Sequence, residues 1–78
     1  MNNKDLGRLL RLERTAKRLT QKELGELSGV GINFVSQLER GKTTVRLDKL
    51  LDVLRVLGLE LCLQRGKSGL SAVEELSR

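Results

Sequence analysis

Three short polar side chains lie close together in the middle of the sequence. Ser36 and Gln37 follow Asn33 by three and four residues, so on a helix all three share one face. Asn and Gln amides pair with adenine through two hydrogen bonds in the DNA major groove, and a serine hydroxyl can bond base edges as well. The spacing therefore indicates a face that could read base pairs. The competing interpretation is two solvated surface helices with ordinary polar faces.

Two short predicted helices around a tight turn would position these side chains. The first begins at Thr20, a favoured N-cap residue, and Glu23 completes a capping box three residues later. Gly29 is expected to adopt the left-handed conformation at the turn. The second helix runs from about Ile32 until Gly41 ends it. Two short helices around a glycine-containing turn are typical of a helix-turn-helix.

The same stretch resembles the helix-turn-helix of the Xre family, the phage-repressor and Cro type. The resemblance rests on Thr20-Gln21, on Gly25, on Gly29 and on the run VSQLERGK at residues 35–42. It extends without gaps from about residue 9 to residue 57. It implies an all-α, lambda-repressor-like domain of five or fewer helices that binds double-stranded operator DNA.

The resemblance also implies roles for individual residues. The base contacts would be Gln21, Ile32, Asn33 and Gln37. The contacts to the DNA backbone would be Ser36, Arg40, Lys42 and Thr43. Ile32 departs from the polar residue common at its position in phage repressors, which suggests apolar contact with a thymine methyl group. The second helix of the helix-turn-helix is the recognition helix. The family further implies a buried ion pair, here Arg14 with Glu39, between the helix that precedes Thr20 and the end of the recognition helix.

Charge is unevenly distributed along the chain. Residues 1–46 contain ten Lys or Arg and five Asp or Glu, whereas residues 47–78 contain five of each, so the net charge of +5 lies in the first part. This segregation predicts a phosphate-binding face on the helix-turn-helix half. The alternative, charge that only keeps the protein soluble, would not need to be segregated.

Composition argues against catalysis and metal binding. The 78 residues include one cysteine and no histidine, and no glycine-rich phosphate loop or converging carboxylate pair is present. We therefore expect no enzyme activity, no metal and no cofactor. The cysteine usage suits a reducing cytoplasm. The sequence has neither the long apolar run of a membrane span nor the start of a signal peptide.

The N-terminal helix of the chain, before Thr20, and the single aromatic residue each leave alternatives open. Either Asn3 or Asp5 is expected to cap a helix that runs to about Lys17, and Leu6, Leu9 and Leu10 are predicted to share its apolar stripe. Phe34 lies beside Leu38 on the recognition helix. It either fills the edge of the core or contacts thymine methyl or sugar groups at the edge of the groove.

A fourth helix is predicted over residues 47–57, and its apolar surface is unusually wide. The predicted core stripe consists of Leu47, Leu50, Leu51, Leu54 and Leu57. Val53 and Val56 are predicted to lie outside this stripe. A chain this small has no second layer to cover them, which favours a protein interface.

Residues 59–64 alternate leucine with mostly polar residues, which predicts a half-buried strand. A lone strand has unpaired edges, so we expect it to pair with the same strand of a second copy. The predicted dimerisation residues are Val53, Val56, Leu59, Leu61 and Leu63. The domain would then span residues 1–65, followed by a tail at residues 66–78 that is mobile or forms one or two loose helical turns.

Four helices followed by such a strand resemble the HipB-like antitoxins, a subset of the Xre family. In that subset the strand builds a two-stranded sheet between subunits. The dimer binds its own operator and a HipA-like Ser/Thr kinase toxin. The sequence thus supports a homodimeric repressor on a palindromic operator, either as such an antitoxin or as a stand-alone regulator without a toxin partner.

Overall fold

Four α-helices follow one another in the computed structural model, which describes residues 2–65. They are α1 (Asn3–Ala16), α2 (Gln21–Ser28), α3 (Ile32–Glu39) and α4 (Leu47–Val56). Helix α2 packs against both α3 and α4, and α1 packs against α3. The all-α architecture expected from the sequence is confirmed for this part of the chain.

The strand predicted at residues 59–64 is not formed in the described part of this chain. Residues 59–65 form neither a helix nor a hydrogen-bonded strand. Because the predicted strand would pair only with a second copy, its pairing stays a prediction. The predicted tail at residues 66–78 lies outside the described residues.

Side-chain caps fix the starts of the first two helices. Asn2, rather than Asn3 or Asp5, is the N-cap of α1, because its Oδ1 accepts the Asp5 backbone N–H at 2.9 Å. At α2 the predicted capping box is present: Thr20 Oγ1 accepts the Glu23 N–H at 3.0 Å, and Glu23 Oε1 accepts the Thr20 N–H at 2.9 Å. The hydrogen bond from the Thr20 backbone N–H, followed by one from the Thr20 side chain, holds the pKa of the Glu23 carboxyl below its ordinary value.

All four helices of the described chain end in the same hydrogen-bonded turn, the Schellman motif. A backbone N–H just past each helix donates to a carbonyl five residues earlier, with N–O distances of 2.8–3.1 Å for the pairs Leu19–Arg14, Val30–Gly25, Lys42–Gln37 and Leu59–Leu54. The motif needs one residue with positive φ. Glycine supplies it after α2, α3 and α4, whereas Arg18 supplies it after α1 with φ 58°.

Eight apolar side chains form the buried core. They are Leu10, Leu24, Val35, Leu38, Leu50, Val53, Leu54 and Leu57. Three residues of the predicted α4 stripe, Leu50, Leu54 and Leu57, are buried as expected. The stripe was wrong at its edge, because Val53 is fully buried, whereas Leu47 and Leu51 are 58% and 42% exposed. Residues 50, 53, 54 and 57 follow the ordinary spacing of one helix face, so the helix turns the valine inward and two leucines outward.

The core edge of α1 also differs from the prediction. Leu9 is 39% exposed, and Gly7, Leu10 and Arg14 are the buried residues of this helix. A Cβ atom at Gly7 would overlap the Glu39 carbonyl oxygen and lie 2.7 Å from the Leu38 carbonyl oxygen. Gly7 therefore allows the backbone of α1 to approach the end of α3.

Candidate nucleic-acid interface

Helix α3 buries one side and exposes the other. Val35 and Leu38 are 0% and 3% exposed, and they fix the helix against the core. On the opposite side Asn33 and Gln37 are exposed, together with Ile32, which is 48% exposed. Three of the four predicted base contacts therefore share one accessible face. Among the predicted backbone contacts, Ser36 is half-buried on this helix, and Arg40 and Thr43 are exposed just beyond it.

The fourth predicted base contact, Gln21, has a structural partner. It is half-buried at the start of α2, and its Nε2 donates to Glu39 Oε1 at 3.2 Å. The amide is thus held against the end of the recognition helix. This bond accounts for one of its amide hydrogens and leaves its carbonyl oxygen without a bond in the described structure.

The predicted ion pair between Arg14 and Glu39 is present. Arg14 Nε donates to Glu39 Oε2 at 2.6 Å and Nη2 donates to Oε1 at 3.0 Å, while Nη1 donates to the Leu19 carbonyl at 2.7 Å. The two side chains are only 11% and 4% exposed. The hydrogen bond to Glu39 raises the pKa of Arg14 above its ordinary value, so the guanidinium keeps its charge. It joins α1, the start of α2 and the end of α3.

Lys42 lies beside the exposed face of α3 that carries Asn33 and Gln37, the recognition face, although its predicted role is at the DNA backbone. Gly41, with φ 84°, reverses the chain after α3. The Lys42 Nζ then donates to Gln37 Oε1 at 3.1 Å. The Lys42 backbone carbonyl accepts a hydrogen bond from Asn3 Nδ2 at 2.8 Å. No local pattern predicts the Asn3 contact, which joins residues 39 positions apart.

A cleft beside α3 carries further positive charge. Phe34, Lys42, Arg46 and Lys49 are among its lining residues. Phe34 packs on the edge of the core, as one of its two predicted roles required, and the Lys49 Nζ lies 5.7 Å from its ring centroid. Arg46 is bonded to the Asp48 carboxylate, with Nη2 2.7 Å from Oδ2. Lys49 was not predicted, and its only sequence signal is a position on the first turn of α4.

The predicted dimerisation residues divide into two groups. Val53 is 0% exposed in the core of its own chain, so its assignment to an interface was wrong, and Val56 and Leu59 are half-buried against the same core. Leu61 and Leu63 are 49% and 64% exposed. A groove at the end of α4 is lined by Leu51, Leu54, Arg55 and residues 58–61. Leu51, rather than Val53, is the exposed apolar residue of α4 beside the proposed strand.

Residues 2–65 contain neither a candidate metal-binding cluster nor a candidate membrane-spanning helix. No group of three or more His, Cys, Asp or Glu side chains there could hold a metal ion. None of the described helices is long and apolar enough to cross a membrane.

A capped two-helix unit with an exposed amide-bearing face and surrounding cations defines a helix-turn-helix DNA-binding domain. The Helix-turn-helix family HTH_3 matches residues 10–64. The chain therefore belongs to this family and is an Xre-type helix-turn-helix transcriptional regulator with a lambda-repressor-like fold. Regulators of this family act by binding DNA and are generally not enzymes.

Relatives and solved structures agree with this assignment. The chain is 42% identical over 57 residues to y4mF, an uncharacterized HTH-type transcriptional regulator from Sinorhizobium fredii, covering 73% of this chain and 75% of y4mF. It is 38% identical to the restriction-modification controller protein C.AhdI from Aeromonas hydrophila, with a TM-score of 0.68 over 73% of this chain and 86% of C.AhdI. A chain of the HipA-HipB-O2-O3 complex superimposes with a TM-score of 0.77 at 24% identity, covering 86% of this chain and 94% of that one, which is a likeness of fold.

Proposed function

We propose that the chain is a sequence-specific repressor that binds a palindromic operator as a homodimer. The observation that carries this proposal is the exposed face of α3, where Ile32, Asn33 and Gln37 stand on a helix fixed by buried Val35 and Leu38. Amides on a rigid helix suit the hydrogen-bonding pattern of the major groove, and Ile32 suits a thymine methyl group. Gln21 would contact the same site from the start of α2.

Backbone contacts would place this face in register with the DNA. Arg40 and Thr43 are exposed at the end of α3, and Ser36 lies on the same helix. Hydroxyls and cations of this kind bind phosphates and carry no sequence information themselves. Lys49, at the cleft beside Phe34, extends the positive surface onto α4.

The dimer would form through the end of α4 and the segment after it. Leu51, Leu61 and Leu63 are exposed there, and a groove lies between α4 and residues 58–61. Pairing of the segment 59–64 with its two-fold mate would cover these leucines and the strand edges. Two recognition helices related in this way should lie about 34 Å apart and read half-sites one DNA turn apart.

Footprinting tests the repressor function directly. The probe is the DNA upstream of the gene that encodes this chain, titrated with protein beside a random fragment of equal length. We expect a symmetric protected region and affinity at least about 1,000-fold higher than for random DNA. Equal affinity for the two fragments would contradict sequence-specific binding, and protection of a single half-site would contradict the dimer.

We further propose that the chain is the antitoxin of a HipA-like Ser/Thr kinase toxin and represses its own operon. Support comes from the likeness of fold to the HipA-HipB-O2-O3 complex, which covers more of this chain than the other similarities described. Co-expression with the product of an adjacent kinase-like gene should give a stable complex by size-exclusion chromatography and relieve growth arrest. A protein that binds its operator but neither binds nor neutralises that kinase is a stand-alone regulator.

A further inference from the structure

Gln37 and Lys42 form a pair on the recognition face whose hydrogen-bonding polarity is fixed by chemistry. The Lys42 Nζ lies 3.1 Å from the Gln37 side-chain amide. A lysine ammonium has three N–H donors and no acceptor. The amide atom that faces it must therefore be the carbonyl oxygen Oε1, and the amide nitrogen Nε2 faces away from the lysine.

Two backbone contacts hold Lys42 in this position. Its N–H donates to the Gln37 carbonyl at 3.1 Å, which closes the turn at Gly41. Its carbonyl accepts from Asn3 Nδ2 at 2.8 Å, which ties the loop to the first turn of α1. The main chain of Lys42 is thus fixed on both sides, and only the side chain has to reach Gln37.

The pair presents donors to an approaching base. Nε2 of Gln37 has two N–H groups, and the Lys42 ammonium keeps two after bonding Oε1. Pairing of a glutamine with adenine needs Oε1 to accept from the adenine N6 amino group and Nε2 to donate to N7. Here the lysine cation occupies the position beside Oε1, and it repels an amino group. Guanine instead offers two adjacent acceptors, O6 and N7.

We propose that Gln37 and Lys42 together read a guanine in each operator half-site, and that Lys42 excludes adenine at that position. This inference rests on the proposed function, because it requires α3 to lie in the major groove. It assigns Lys42 a contact with a base edge, where the family resemblance implies the DNA backbone.

The test compares specificity rather than affinity alone. Operator duplexes with guanine changed to adenine, or to 7-deazaguanine, at each half-site position are titrated by fluorescence anisotropy with wild-type protein, Gln37→Ala and Lys42→Ala. One guanine should be preferred over adenine by about tenfold or more in the wild type. Gln37→Ala should lose that preference, and Lys42→Ala should reduce it to within about threefold. The two substitutions should be non-additive, since each removes the same contact.

Two further variants separate charge from position. Lys49→Ala removes an equal charge from the same cleft but has no bond to Gln37, so it should weaken binding to all DNA and keep the guanine preference. Asn3→Ala changes no charge but removes the bond to the Lys42 carbonyl. It should reduce the guanine preference while leaving the salt dependence of binding unchanged.

The outcomes distinguish the inference from the proposed function. If Lys42→Ala weakens binding to all sequences alike, reduces the salt slope by about one and keeps the guanine preference, Lys42 contacts phosphate and the inference is overturned. Wild-type preference for adenine at the position sensitive to Gln37 would also overturn it. Equal wild-type affinity for operator and random DNA would instead overturn the proposed function.

Discussion

The Glu39 carboxylate accepts hydrogen bonds from two helices. Arg14 of α1 donates twice and Gln21 of α2 donates once, and only 4% of the Glu39 side chain is exposed. A buried pair of this kind contributes little net stability, but loss of one partner leaves the other charge unpaired. The network therefore positions α3 more than it stabilises the fold.

Glu39→Gln should destabilise the protein by about 3–5 kcal/mol, since it leaves the Arg14 guanidinium buried without a counter-charge. The double variant Arg14→Met with Glu39→Leu removes both charges and should recover much of that loss. Urea denaturation followed by circular dichroism measures both. Equal destabilisation by the single and double variants would contradict this account.

Asn33 carries a prediction about recognition. Its side chain is exposed on α3 and has no role in the core. Asn33→Ala should weaken operator binding by about 1–3 kcal/mol and leave binding to random DNA nearly intact. Anisotropy titrations on the two duplexes measure the difference. Equal losses on both would mean that Asn33 is not a base contact.

At the scale of elements, the approach of α1 to α3 depends on Gly7. In an exposed helix, alanine is about 0.5–1 kcal/mol more favourable than glycine. At this position a Cβ would meet the backbone carbonyls at the end of α3. We therefore expect Gly7→Ala to destabilise the protein by about 1–3 kcal/mol and to weaken operator binding, because it displaces the recognition helix.

Exposed Gly31 provides the control for this change. A Cβ there would meet nothing within 4 Å. Gly31→Ala should consequently cost less than Gly7→Ala in the same thermal or urea denaturation. A stabilising Gly7→Ala would show that the two backbones can separate without loss.

The end of α1 carries a second prediction for an element. Arg18 adopts φ 58°, a conformation that costs a residue with a Cβ about 1–2 kcal/mol. Arg18→Gly should therefore be more stable than Arg18→Ala by about 1 kcal/mol. Both variants lose the same charge, so the difference in their unfolding free energies isolates the backbone. Equal stability would mean that the turn relaxes at no cost.

Local signals predicted the helices well, and tertiary placement was predicted less well. The Thr20 and Glu23 capping box and the turns at Gly29 and Gly41 follow from short-range chemistry. The phase of α4 could not be read, since leucines occupy both its buried and its exposed sides. The contact of Lys42 with Gln37 depends on the turn at Gly41 and on a bond from distant Asn3, and the Asn3 bond has no pattern in the sequence.

At the scale of the whole molecule, the proposed dimer depends on residues beyond the last helix. Leu61 lies after α4 ends at Val56, so Leu61→Pro should leave the four helices folded. Proline removes a ladder donor and cannot occupy a paired central strand. We expect this variant to be monomeric by analytical ultracentrifugation and to lose far more operator affinity than a substitution of an exposed leucine outside this segment and its groove.

Leu12→Ala is the matched control for this experiment. Leu12 is 66% exposed on α1, and it does not line the groove at the end of α4. This variant should dimerise as the wild type does. A wild-type monomer at micromolar concentration, or a dimeric Leu61→Pro variant, would refute pairing through residues 59–64.

The position of Phe34 has an optical consequence. The chain contains no tryptophan and no tyrosine, so it is nearly transparent at 280 nm and has no intrinsic indole emission. Phe34 is half-buried on the recognition helix, in the wall of the cleft that also holds Lys42 and Lys49. A tryptophan at this position would be the only fluorophore of its kind in the protein. Its emission would report on the surroundings of this cleft, without any background from the rest of the fold.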